Sequence, residues 1–186
     1  MLKILPLWFI RYKFFNSFFL GLSVGAIFTL YAPLEPSIYS LGGVILAMGM
    51  LLVARFYHHI LNAKWFFRIS VFVELVLLLA MLYFLYASYT YQTALLLYAG
   101  YQVTFLFGSY LIRAETLLLQ TDTLLTKVDT AKQLGYLAGM GMAYLIYKAF
   151  AHYGIENPQD QVYDLHFLLI GIELVVIVLI WKSFKR

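Results

Sequence analysis

The chain has 186 residues, of which 63% are hydrophobic, 19% aromatic and only 12% charged. Soluble domains run about 45–50% apolar and about 25% charged, so this composition excludes a water-soluble enzyme, a disordered chain and a nucleic-acid module. Thirteen Lys and Arg against nine Asp and Glu leave a net charge of +4, and in a membrane protein a basic balance reflects Lys and Arg retained on the cytoplasmic side.

Residues 1–13 are apolar from Met1 to Ile10 but hold Lys3 and Pro6 and end in Arg11-Tyr12-Lys13. The apolar core is short and no small-residue cleavage site follows, unlike a secretory signal. The expectation is an interfacial segment with Trp8 at headgroup level, leading into a transmembrane domain over 14–186. An extension of the first span is the competing reading.

A spanning helix needs about 20 mostly apolar residues. Six runs qualify, at 14–31, 38–57, 69–88, 93–112, 133–150 and 165–181. The runs are continuous rather than alternating, which favours helices over a β-barrel. The fold class is therefore all-α and polytopic. Ala32-Pro33-Leu34-Glu35-Pro36-Ser37 breaks the first run from the second, with Ser37 placed to cap the second helix. Asn62-Ala63-Lys64, Tyr89-Thr90-Tyr91-Gln92 and Asn157-Pro158-Gln159-Asp160 supply further breaks. Between Arg113 and Lys132, Leu117, Leu118, Leu124, Leu125 and Val128 recur near a helical period. This predicts a connector helix along the interface or an extension of the fourth span.

Six spans place both termini on one side. With that side cytoplasmic, twelve of the thirteen basic residues fall on or near it and Lys148 alone lies near the other face, where Glu35, Glu156, Asp160 and Asp164 lie. This charge asymmetry predicts cytoplasmic termini in a membrane of bacterial inner-membrane type.

The halves resemble each other. Leu41-Gly42-Gly43 with Ala47-Met48-Gly49-Met50 parallels Leu134-Gly135-Tyr136 with Gly139-Met140-Gly141-Met142, and Val73-Glu74-Leu75-Val76 parallels Ile172-Glu173-Leu174-Val175. Three helices per copy is an odd number, so the second copy crosses from the opposite side and the repeat is an inverted 3+3.

On this topology, on the basic link Arg55-Phe56-Tyr57-His58-His59 continuing to Lys64 and Arg68, and on the Gly-rich run Gly135–Gly141, the chain resembles one half of a major facilitator superfamily transporter. It departs from that family at the link, where Ala54 precedes Arg55 and no Gly or Asp follows, and in lacking the family's Pro in the fifth helix. The family has twelve helices, so the resemblance implies a half-size secondary transporter of a small organic solute, acting as a homodimer or with a second half-size chain. A non-transporting subunit or scaffold is the alternative.

Ionisable residues inside spans are costly and mark function by default. Glu74 and Glu173 are two such residues at equivalent repeat positions and are the proton-coupling candidates. A structural contact is the competing reading, since the resemblance implies peripheral third and sixth helices. The resemblance also implies a cavity lined by the first, second, fourth and fifth helices. Its candidates are Asn16 and Ser23, then Tyr98 and Gln102 on a stripe with Phe105 and Ser109, then Gln133, Tyr136 and Tyr144 on a stripe with Met140 and Tyr147. Such a lining suits an amphipathic, aromatic or cationic solute; hydrogen bonding between helices is the alternative. Gly21, Gly25, Gly42, Gly49, Gly135, Gly139 and Gly141 are helix-packing candidates. Gly42, Gly49, Gly135 and Gly139 are expected to face a partner, and Arg113 to pair with Glu115 at a cytoplasmic gate. His58 and His59 are adjacent, and no phosphate loop, metal cluster or serine elbow occurs. No enzyme activity, cofactor or metal is expected.

Overall fold

A computed structural model describes residues 3–185, so Arg186 and residues 1–2 of the N-terminal segment lie outside the described residues. The chain is all-α, with seven helices and a two-stranded clasp at its ends. A short strand β1 (Lys3–Ile4) precedes α1 (Pro6–Tyr31), α2 (Pro36–Arg55), the single turn α3 (Tyr57–Ile60) and α4 (Ala63–Tyr86). Then follow α5 (Tyr91–Leu119), α6 (Asp122–His152), α7 (Pro158–Lys182) and β2 (Phe184–Lys185). Five helices, α1, α2, α4, α5 and α7, are long and apolar enough to cross a membrane, and the protein is accordingly an integral membrane protein.

Local chemistry sets the helix starts. Pro6, Pro36 and Pro158 sit in the first turns of α1, α2 and α7, where the missing N–H is no loss. Ser37, expected as a cap, lies inside α2 because Pro36 already opens that helix. Asn62, Thr90 and Asn157 cap α4, α5 and α7 by accepting the backbone N–H of Trp65, Thr93 and Gln159. The first helix starts at Pro6, so residues 6–13 are its opening turns rather than a separate lead-in. The stretch 113–132 forms no single connector. It extends α5 to Leu119, breaks at Gln120 in the left-handed region (φ 55°) and starts α6 at Asp122.

The expected fifth span, 133–150, lies within α6, which is not among the five. Asp122, Lys127, Asp129 and Lys132 load its first third, and glycines and tyrosines dilute the apolar remainder.

The chain ends meet. Lys3 pairs with Lys185 and Ile4 with Phe184 in an antiparallel register, and Leu5 N–H donates to the Ser183 carbonyl at 2.8 Å. The α2–α4 link joins this end, since the Tyr110 hydroxyl donates to the Ile60 carbonyl at 2.8 Å. At the opposite end the Tyr89 hydroxyl donates to the Gln159 carbonyl and Tyr163 to the Leu85 carbonyl. Burial first, then the nearby Asp160, pushes the Tyr89 hydroxyl well above the ordinary phenol range, so it stays a donor.

The core is built by α1, α4, α5 and α7, with Phe9, Leu22, Phe66, Phe84, Leu97, Leu165 and Val176 fully enclosed. Two helices flank it. α6 runs parallel to α1 and buries little more than Ala131, Gly135, Gly139 and Ala143, a stripe at four-residue spacing. Helices in lipid associate through close packing rather than hydrophobic expulsion, and this stripe lets the two backbones touch. α2 leans on α5 and has no fully buried residue.

Candidate functional site

Lengthening α1 to Pro6 places Phe9, Tyr12, Lys13, Asn16, Phe19 and Ser23 on one stripe, at the three- and four-residue spacing of a single helix face. That stripe faces α4, α5 and α7. Glu74, midway along α4, accepts hydrogen bonds on Oε1 from the Tyr12 hydroxyl at 3.0 Å and from Asn16 Nδ2 at 2.9 Å. Glu173, nine residues before the end of α7, lies beside Glu74 across the α4–α7 contact. Glu74 is 3% exposed and Glu173 is fully enclosed. Neither oxygen of Glu173 has a hydrogen-bond donor among the described residues.

Tyr12 lies near Ser70 on α4, whose buried hydroxyl has no hydrogen-bond partner among the described residues, and Tyr101 on α5 lies near Ser23 and Glu173.

Nearer the chain termini sits a three-helix ion cluster. Lys13 Nζ on α1 lies 2.5 Å from Glu115 Oε2 on α5, and Lys132 Nζ on α6 binds Glu115 Oε1. Lys132 also reaches Asp129 at 3.1 Å. Lys13 is enclosed by aromatic rings, with Nζ 5.5 Å from Phe9, 5.2 Å from Tyr12 and 5.6 Å from Phe66. Burial works against the Lys132 charge, but its bonds to Glu115 and then Asp129 outweigh it and hold the ammonium above the ordinary lysine range.

Glu115 therefore pairs with Lys13 and Lys132 rather than with Arg113, whose guanidinium lies 5.9 Å from the Tyr57 ring. Arg113 extends from an exposed side of α5, whereas Glu115 points inward.

The remaining candidates divide. Asn16 joins Glu74, and Ser23 is buried with its hydroxyl on the Leu20 carbonyl. Tyr98 packs edge to face on Tyr31 and Tyr39, at ring distances of 5.6 and 5.4 Å. With Gln102 it lines an apolar groove of about 470 Å³ between α2 and α5. Gln133 and Tyr144 are exposed on the outer face of α6, and Tyr136 is half-buried. The α5 and α6 stripes are not brought together within one chain.

A Cβ on Gly21 would meet the Tyr136 carbonyl, and one on Gly135 or Gly139 would meet the carbonyl of Phe14 or Phe18. Gly135 and Gly139, expected at a partner interface, thus face α1 of their own chain. Gly25 faces the Tyr147 ring, Gly42 the Tyr98 side chain and Gly49 Leu106, while Gly141 faces open space.

His58 and His59 do not diverge as adjacent helical residues would, for their rings lie 3.9 Å apart in the single turn of α3. Among the described residues no group of three His, Asp or Glu is placed to hold a metal ion.

Sequence reasoning missed Tyr12, Lys13 and Tyr101, and gave Glu115 the wrong partner. For Tyr12 and Lys13 the signal was the α1 stripe, hidden by starting the helix at residue 14.

No protein-family profile, no curated protein and no solved structure matches the chain. The likeness to a major facilitator half therefore rests on the chain's own topology and motifs.

Proposed function

We propose that the chain is a half-size secondary transporter of a small organic solute, acting as a homodimer or with a second half-size chain, with Glu74 and Glu173 taking up the coupling proton. The observation that carries this reading is the meeting of the two carboxyls inside the bundle. Burying two like-charged groups together is costly in a membrane, and such groups mark proton or ion pathways.

The packing order supports an inverted repeat. α1 packs on α6 and α7, while α5 packs on α2 and α4. Exchanging α1 with α5, α2 with α6 and α4 with α7 turns each of these pairs into another on the same list. The α1–α5 and α4–α7 pairs map onto themselves. On that reading Glu74 and Glu173 are equivalents on a self-paired contact, with the pseudo-two-fold axis between them. Such a symmetry would bring the two carboxyls together.

The same order supports reading α6 as a sixth span, since it lies parallel to α1 and joins the terminal end to the opposite end. The termini and most basic residues share one end, which we read as cytoplasmic by the positive-inside rule. The outward face of α6, with Gln133 and Tyr144, would line a cavity shared with a second chain.

The test is proton movement in vesicles loaded with a pH-sensitive dye. Adding organic cations such as tetraphenylphosphonium to the wild-type protein should change the internal pH. Glu74→Gln and Glu173→Gln should each abolish that response. A response unaltered by both substitutions would refute the coupling role.

The alternative is a non-transporting scaffold, favoured by the separation of the α5 and α6 stripes. Single cysteines replacing Gln133 and Tyr144 discriminate between the readings. Labelling by aqueous maleimides places them at a wet cavity; protection from both sides favours the scaffold.

A further inference from the structure

The starts of α1 and α4 and the end of α7 meet at the end of the bundle that holds both termini. Phe184 of the clasp packs on Phe9 of α1 at a ring distance of 6.3 Å, and on Phe66 and Phe67 of α4 at 6.0 and 5.3 Å. Phe67 in turn meets Trp181 of α7 at 5.1 Å. These segments bring Lys3, Arg11, Lys64, Arg68, Lys182 and Lys185 to one end, all of them exposed. No Asp or Glu occurs in residues 1–34, 56–73 or 174–186. Of the acids farther along the chain at this end, Glu115 and Asp129 are already held by Lys13 and Lys132, and Asp122 lies on α6.

Two of these cations converge. Arg11 Cζ and Lys182 Nζ each lie 4.9 Å from the centroid of the Trp8 ring, so one indole gathers charges from the first helix and the last. Among the described residues neither makes an ion pair. A ring face attracts cations but does not neutralise them, and like charges gathered without a counter-ion repel. Lys3 and Lys185, directly opposite in the clasp, repeat the pattern, and like charges facing across a strand pair are destabilising. On the face of α7 that carries Lys182 stand Val178 and Leu174, at four-residue spacing and 51% and 49% exposed. An anion held by Arg11 and Lys182 therefore has an open apolar stripe alongside it, a combination that suits an anionic lipid and not a free phosphate.

We propose that Arg11, Lys182 and Trp8 bind the phosphodiester head group of an anionic phospholipid, with its acyl chains along Val178 and Leu174. Complementarity of charge carries the inference, since two unpaired cations gathered at one aromatic platform match one phosphate. A guanidinium can donate to two phosphate oxygens at once, and an ammonium adds a third donor as a point charge. Tryptophan favours the head-group level of a bilayer, which is where a lipid phosphate lies. Such a lipid would join α1 to α7 beside the clasp, and a ligand bound only by the folded chain raises its stability. The proposal rests on the chain's being a membrane protein and is independent of the proton-coupling reading.

Thermal unfolding of the full chain in neutral maltoside micelles, titrated with phosphatidylglycerol, tests this. The wild type should gain stability saturably with phosphatidylglycerol and not with phosphatidylcholine. The double variant Arg11→Gln, Lys182→Gln should need about 30-fold more phosphatidylglycerol for half the gain, as expected for losing two basic groups at a membrane surface. Lys182→Gln alone, at the exposed end of α7 where folding is least at risk, should need about 5-fold more by the same reasoning. The control Arg113→Gln, Lys127→Gln removes the same charge from exposed positions on α5 and α6 and should leave the titration unchanged. Equal weakening in the two double variants would reveal diffuse attraction to the whole basic end and overturn the site. An equal gain from phosphatidylcholine, a gain matched by the same concentration of inorganic phosphate, or no gain at all would overturn the anionic lipid as its occupant.

Discussion

Lys13 Nζ and Glu115 Oε2 lie 2.5 Å apart in the interior, joining the second turn of α1 to the last turns of α5. Lys132 binds the other oxygen of the same carboxylate, so one acidic residue serves two cations from two helices. Removing Glu115 leaves a buried ammonium unpaired beside a second one. Glu115→Leu should therefore destabilise the protein by about 3–5 kcal/mol, the usual cost of breaking a buried pair from one side. The double variant Lys13→Met, Glu115→Leu should recover much of that loss, because no buried charge remains opposite the missing carboxylate. Unfolding in detergent micelles with added denaturant reads both.

The α1–α6 seam depends on the absence of side chains at Gly135 and Gly139. Any Cβ there would meet the backbone carbonyl of Phe14 or Phe18, which cannot move aside as a flexible side chain would. Gly139→Leu should cost about 1–3 kcal/mol or more, the range for overpacking. Gly141 faces open space, so Gly141→Ala should fall within about 0.5 kcal/mol of the wild type. Thermal denaturation in detergent compares the two.

Tyr12 and Asn16 both donate to Glu74 Oε1. Hydrogen bonds to charged groups contribute about 1.5–3 kcal/mol, and groups sharing one acceptor are coupled. Tyr12→Phe and Asn16→Leu should each destabilise the protein. Their effects should shrink in a Glu74→Leu background, where no acceptor is left to lose donors. Additive losses in that background would show that the two residues act independently of Glu74.

The Lys132 ammonium is held above the ordinary lysine range by Glu115 and Asp129, against the effect of burial. A group whose pKa is raised on folding contributes stability below its unfolded value, and that contribution fades as pH rises through the folded value. The stability difference between wild type and Lys132→Gln should therefore stay level across neutral pH. It should decline only above the unperturbed lysine value of about 10.4. Denaturant unfolding at a series of pH values checks the sign.

The long elements were legible because each is an apolar run bounded by proline or a capping side chain. Pro36, Asn62, Thr90 and Asn157 mark starts that need no tertiary information. The start of α1 was misplaced for a physical reason. Lys3, Arg11 and Lys13 read as interfacial charges in a hydropathy profile, which cannot see that Lys13 is neutralised by a carboxylate a hundred residues away. The break at Gln120 was equally hidden, since a left-handed residue between two leucine-rich stretches leaves no proline or glycine to announce it.

Composition and patterning alone determined that this chain belongs in a bilayer, that its long segments are helical and that Glu74 and Glu173 are its conspicuous intramembrane acids. Those properties follow from solvent preference and local backbone chemistry, which act residue by residue. Which side chains meet was decided only by tertiary structure. The carboxyls face each other because α4 packs on α7, and Glu115 turns from Arg113 to two lysines because α1 and α6 flank its inward face. Such pairings depend on helix rotation and neighbour choice, and in lipid these are set by close packing rather than by hydrophobicity.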